Sequence, residues 1–96
     1  MEIREFQEMI ERTYFARDCA RGMGGTFMWF MEEVGELATA LREEDREALK
    51  GEFADVLAWL CTLASLAGIP MEEAIEKYAD GCPACRKSPC DCSPKR

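Results

Sequence analysis

The sequence predicts an all-α fold, with four helices followed by a cysteine-rich C-terminal tail. Three observations predict it: apolar residues recur three and four apart through most of the chain, no stretch alternates with period two, and Gly, Pro and short polar links punctuate the apolar segments. The first helix, about 2–20, places Ile3, Phe6, Ile10 and Tyr14 on one side with charges between them. Gly22-Met23-Gly24-Gly25 is expected to break it. Thr26 is suited to cap a second helix over 26–42, whose apolar stripe is Phe27, Phe30, Val34, Leu37, Ala38 and Leu41. Glu43-Glu44-Asp45 makes a polar link, and Asp45 can cap a third helix over 46–67. Leu49, Phe53, Val56, Leu57, Leu60, Leu63 and Ala64 share one side of that helix. Gly68 is a stop signal, and Pro70 sits near the first turn of a short fourth helix over 71–79. Composition then changes sharply. Residues 82–96 hold four Cys, three Pro and four basic residues, so the chain divides into a helical domain, 1–81, and a tail or small knuckle, 82–96.

A chain of 96 residues makes one small domain, of a size that often completes its burial by oligomerising. A net charge of −7 opposes binding to a nucleic-acid polymer. The N-terminus carries acids where a signal peptide would be basic, and no stretch is long and apolar enough to span a bilayer. A cytoplasmic protein with no membrane partner is expected. Its six cysteines then read as thiols or metal ligands rather than a disulfide framework, with isolated Cys19 and Cys61 as small core residues.

The most informative residues are acids in two clusters, Glu32-Glu33-Val34-Gly35-Glu36 and Glu52-Phe53-Ala54-Asp55. Both lie within apolar helical segments, where ionised carboxylates are costly unless a cation meets them. With no histidine in the chain, the natural counter-ion is a hard divalent metal held by oxygen, such as Mg²⁺. The short link makes the second and third helices antiparallel neighbours, so residues equidistant from Glu44 share a level. Glu36 and Glu52 are each eight residues from Glu44, and Glu33 and Asp55 are each eleven away. Four carboxylates therefore converge at two adjacent levels beside the expected core. Trp29 and Trp59, each fifteen residues from Glu44, fall beyond the acids, where an aromatic pair could hold a nucleobase. A solvated acidic face and ordinary core tryptophans are the plain alternatives. Gly35 either admits a neighbouring helix or clears space beside the metal. In the tail, Cys82-Pro83-Ala84-Cys85 and Cys90-Asp91-Cys92 supply four thiolates, enough to close a tetrahedral Zn²⁺ site; free thiols on a tail are the other reading.

The pair Glu32-Glu33-Val34-Gly35-Glu36-Leu37 and Glu52-Phe53-Ala54-Asp55-Val56-Leu57 resembles the EExxE…ExxD signature of MazG-like nucleotide pyrophosphohydrolases. The resemblance spans about residues 5–80. It implies a four-helix core, usually built into a homodimer or homotetramer, and Mg²⁺-dependent hydrolysis of a nucleoside triphosphate to the monophosphate and pyrophosphate. It makes Glu33, Glu36, Glu52 and Asp55 the metal ligands. Glu32 becomes a further acid that orients or deprotonates the attacking water or serves a second metal. Such proteins often carry a later Lys and an Asn/Arg-rich segment for phosphate. Lys77 matches the Lys, but Tyr78-Ala79-Asp80-Gly81-Cys82 follows with no Asn. A housecleaning role on the nucleotide pool is the leading reading. Phosphoribosyl-ATP hydrolysis is ranked below it because Trp29-Phe30-Met31 lacks a basic residue. A non-catalytic helical module that binds zinc and a partner is the reading from another class.

Overall fold

In a computed structural model, residues 1–94 are described, so the last two residues of the expected tail, Lys95 and Arg96, lie outside the described residues. The described residues are all helical or irregular, with no strand. They form three α-helices, not four: α1 (Ile3–Glu43), α2 (Arg46–Leu66) and α3 (Met71–Ala74), the last running into a 3₁₀ turn, Ile75–Tyr78.

The expected first and second helices are one element because only Gly22 leaves helical geometry, at φ 79° and ψ 176°. That region is open essentially to glycine alone, so the chain bends there and resumes its helix at once. Thr26 is consequently no cap. It lies inside α1, fully buried, and its Oγ1 is bonded by the Arg21 guanidinium at 3.1 Å. Two glycine substitutions separate these roles. Gly22→Ala is expected to cost about 1–3 kcal/mol through backbone strain alone, since no atom lies within 4 Å of the new Cβ. Gly24→Ala, in helical geometry and equally uncrowded, is expected to gain up to about 1 kcal/mol. Urea denaturation of the two variants measures both.

The link does turn the chain as its residues suggest. Glu44 takes the left-handed conformation at φ 58°, its N–H donating to the Ala40 carbonyl, and Asp45 Oδ1 accepts from the N–H groups of Glu47 and Ala48. Gly68, at φ 74°, ends α2: its N–H donates to Ser65 O and that of Ile69 to Ala64 O. The α3 segment leaves at 98° to α2. It is short because the α hydrogen bonding gives way after one turn, leaving Lys77 on the 3₁₀ continuation. Buried Gln7 fastens this corner to α1. Its amide donates to Ser65 Oγ and Ile69 O and accepts from Met71 N–H at 2.7 Å. No single helix among the described residues is long and apolar enough to cross a membrane.

The expected core is not where the stripes run. At about 100° per residue, the α1 positions facing α2 are Trp29, Glu33, Glu36 and Ala40, whereas the Phe27–Leu41 stripe is centred about a third of a turn away. The α2 stripe is rotated away from α1 in the same sense. Phe27, Leu41 and Phe53 are accordingly half exposed, and among the described residues only Ile10, Ala40 and Cys61 are buried apolar residues. Cys19, expected in the core, is exposed. Gly35 has no atom within 4 Å of a built Cβ, so within one chain it admits no neighbouring helix.

Candidate metal centre

The helix hairpin brings acids, not its apolar stripes, face to face. One carboxylate oxygen from each of Glu33, Glu36 and Glu52 lies within 4.8 Å of the other two. Two carboxylate oxygens of these residues, Glu33 Oε2 and Glu52 Oε2, are buried with no hydrogen-bond partner. Buried polar atoms are almost always satisfied, and orphaned acceptors on two clustered acids ask for a cation. Without one, Glu33 and Glu52 resist ionisation. Burial, then the charges of Glu36 and Asp55, push Glu33 up to about 7, and burial followed by the same two neighbours raises Glu52. Asp55 thus stands close enough to act on both, although its oxygens fall outside the tight trio. Glu32 is exposed on the same turn as Glu33 and is not one of the converging three. An all-oxygen, all-anionic donor set fits a hard divalent ion.

Trp29 and Trp59 lie at one level, as their spacing from Glu44 requires, but they stack on each other. Their ring centroids are 6.2 Å apart with planes 15° from parallel. That separation leaves no room for a base between the two rings, which leaves their outer faces for stacking. Trp59 also carries the Arg21 guanidinium 4.8 Å over its ring. Lys77 lies elsewhere. It is 5.3 Å from the Tyr78 ring and lines a cavity of about 190 Å³ with Asp80, Cys82 and Arg86.

Sequence reasoning missed a second polar group beside the acids. Asp18 is buried; its Oδ1 accepts from Arg21 Nη1 at 3.1 Å and its Oδ2 from Thr62 Oγ1 at 3.4 Å. These residues border a cavity of about 440 Å³ between the first arm of α1 and α2, with Tyr14, Arg17, Asp55 and Trp59 on its walls. A signal was present: Asp18 and Arg21 continue the Ile10–Tyr14 stripe at helical spacing, a buried face turning polar just before a glycine. Where that face leads depends on the bend at Gly22, which the residue types do not specify.

The helical hairpin thus carries a cluster of carboxylates between its arms with a largely apolar cavity beside it. The chain belongs to the MazG nucleotide pyrophosphohydrolase domain family, whose model matches residues 24–85. The match begins just after the bend, so the first arm and its cavity wall lie outside it. Comparison with curated proteins finds no match.

Proposed function

We propose that this chain hydrolyses nucleoside triphosphates to the monophosphate and pyrophosphate with Mg²⁺ as cofactor, clearing unwanted nucleotides. The observation that carries the reading is the pair of orphaned buried oxygens on Glu33 and Glu52 within a three-acid cluster. Family membership supplies the reaction class.

Glu33, Glu36 and Glu52 would hold the metal, with Asp55 completing the set. When bound, the ion offsets phosphate charge and lowers the pKa of an attacking water. The protein's own groups do the rest. Exposed Glu32 is the carboxylate free to orient that water or take its proton. The cavity beside Asp55 takes the nucleoside, with Tyr14 and the Trp59 edge as apolar walls and Arg17 as a cation for phosphate. Trp29, half exposed, offers a base its outer ring face. Buried Asp18 fixes Arg21 against Trp59 and keeps that wall rigid. Lys77, on the 3₁₀ turn, would serve phosphate at a site completed by a second copy of the chain. The exposed stripes on α1 and α2 are the natural seat of such a copy, making the working unit a homodimer or a homotetramer. Domain limits of 1–81 and 82–96 follow the same reading.

The test is direct. The purified chain is incubated with each ribo- and deoxyribonucleoside triphosphate and Mg²⁺. Pyrophosphate release with at least one of them is expected. Release of orthophosphate, or hydrolysis undiminished in EDTA, contradicts the reading.

A further inference from the structure

The tail cysteines form a second site, separate in chemistry and place from the carboxylates. All four sulfurs, of Cys82, Cys85, Cys90 and Cys92, lie within 4.8 Å of one another. Cys82 Sγ is 3.7 Å from Cys92 Sγ, and Cys85 Sγ is 3.9 Å from Cys90 Sγ. A disulfide holds its sulfurs about 2.05 Å apart, so neither pair is bonded. Four sulfurs about 2.3 Å from one tetrahedral ion stand about 3.8 Å from each other. The two closest pairs in the tail have that spacing, and all six distances lie within 4.8 Å.

The backbone is shaped to the same end. Arg86 N–H donates to the Cys82 carbonyl and Cys82 N–H to Lys87 O, closing a tight loop around the CxxC element. Arg86 itself is left-handed, at φ 59°, so the chain turns back immediately after the second cysteine. Amide N–H groups point at sulfur: Asp91 N donates to Cys85 Sγ and Cys92 N to Cys90 Sγ, each at 3.3 Å. Such outer donors steady thiolates in metal sites. Gly81 allows the crossing. Its φ is +95°, and a Cβ there would meet Lys87 O at 2.8 Å.

The geometry points to a structural Zn²⁺ held by the thiolates of Cys82, Cys85, Cys90 and Cys92, fastening the chain after the 3₁₀ turn into a closed knuckle. Zinc is favoured over calcium or magnesium because the donors are soft sulfur, and over a multi-iron cluster because the four sulfurs close around a single ion. The site is closed, with all four positions filled by protein, which is the pattern of a structural rather than a catalytic zinc. The family match ends at Cys85, so the CxC half that completes the site is an addition of this chain to the matched segment.

The experiment uses the full chain, purified under reducing conditions and desalted, with metals measured by mass spectrometry. One zinc per chain is expected, retained against excess Mg²⁺ and unchanged in Glu36→Gln, which alters only the carboxylate cluster. Cobalt exchanged into the protein should show the intense visible bands of a tetrahedral thiolate site. Cys85→Ser and Cys92→Ser should each lose the zinc and those bands. Gly81→Ala, which keeps all four ligands, should bind zinc about 10–100-fold more weakly in competition with a chromophoric chelator. Zinc kept by the Cys→Ser variants, iron in its place, or metal-free protein with free or disulfide-bonded tail cysteines overturns the proposal. None of these readouts depends on nucleotide hydrolysis.

Discussion

Glu33→Gln is expected to reduce pyrophosphate release by at least about 10²-fold while making the metal-free protein more stable at neutral pH. The activity loss follows from removing a charged ligand, since even the partners that only orient ligands cost 10–100-fold. The gain in stability follows from the same charge. In the metal-free chain, burial and then the charges of Glu36 and Asp55 push Glu33 up to about 7 from an ordinary 4.5, with Glu52 a further facing acid. Below about pH 4.5 the carboxyl is neutral in both folded and unfolded chains and carries no penalty. As pH rises toward 7, the unfolded chain ionises freely and the folded one resists, so stability drains away and the full penalty stands above pH 7. A tenfold change in acidity corresponds to about 1.4 kcal/mol, and partial solvent screening leaves on the order of 2 kcal/mol. Gln carries no such penalty. The difference between variant and parent in EDTA should therefore be near zero below pH 4.5, grow through the window to 7, then level off. Excess Mg²⁺ should abolish or reverse it, because only the parent gains from the ion. Urea denaturation at several pH values with and without Mg²⁺ reads all three. A variant less stable than the parent at pH 8 in EDTA would remove the basis for a cation at this cluster.

The acid cluster was legible because a short link makes position a matter of counting. Glu44, half-way between the clusters, is the left-handed residue that turns the chain, and Trp29 and Trp59 meet at the level their spacing assigns. Counting fails where geometry is continuous. Nothing in Gly22-Met23-Gly24-Gly25 says that one glycine bends while its neighbours stay helical, so a kinked helix reads as two helices. Side-chain chemistry misleads in the other direction. Phe27, Leu41, Phe53 and Leu60 have the spacing of a core, and the rule that apolar faces are buried assigns them to the hairpin. The hairpin instead closes on its acids, and the same stripes turn outward. The Asp18–Arg21–Thr62 group escaped for a related reason: Thr62 is far in sequence from Asp18 and Arg21 and meets Asp18 only because the first arm packs on α2.

Phe53→Glu is expected to convert the protein to a monomer with much reduced thermal stability. A single chain leaves 7225 Å² accessible, against about 5,600 Å² for a folded monomer of this mass. Its radius of gyration is 15.7 Å, where about 12.5 Å suits a self-contained domain of this length. The excess area is of the size an obligate homodimer buries per partner. Part of it is a continuous apolar stripe on α2: Phe53 is 56% exposed, with Leu57 and Leu60 following at helical spacing. Two such hairpins packed stripe to stripe would give a four-helix core built from two chains, with the carboxylates of each left between its own helices. A charge at position 53 would then be buried twice in the dimer, at about 3 kcal/mol or more per copy. Wild-type protein should elute as a dimer or tetramer and melt at a temperature that rises with protein concentration. Phe53→Glu should elute at half that mass or less, and its melting temperature should no longer follow concentration. Arg12→Gln, exposed on the first arm and outside the stripes, makes the same one-unit change in net charge and should leave both unchanged. A wild-type chain that is monomeric at tens of micromolar and melts independently of concentration would show that the stripes serve something other than a second copy.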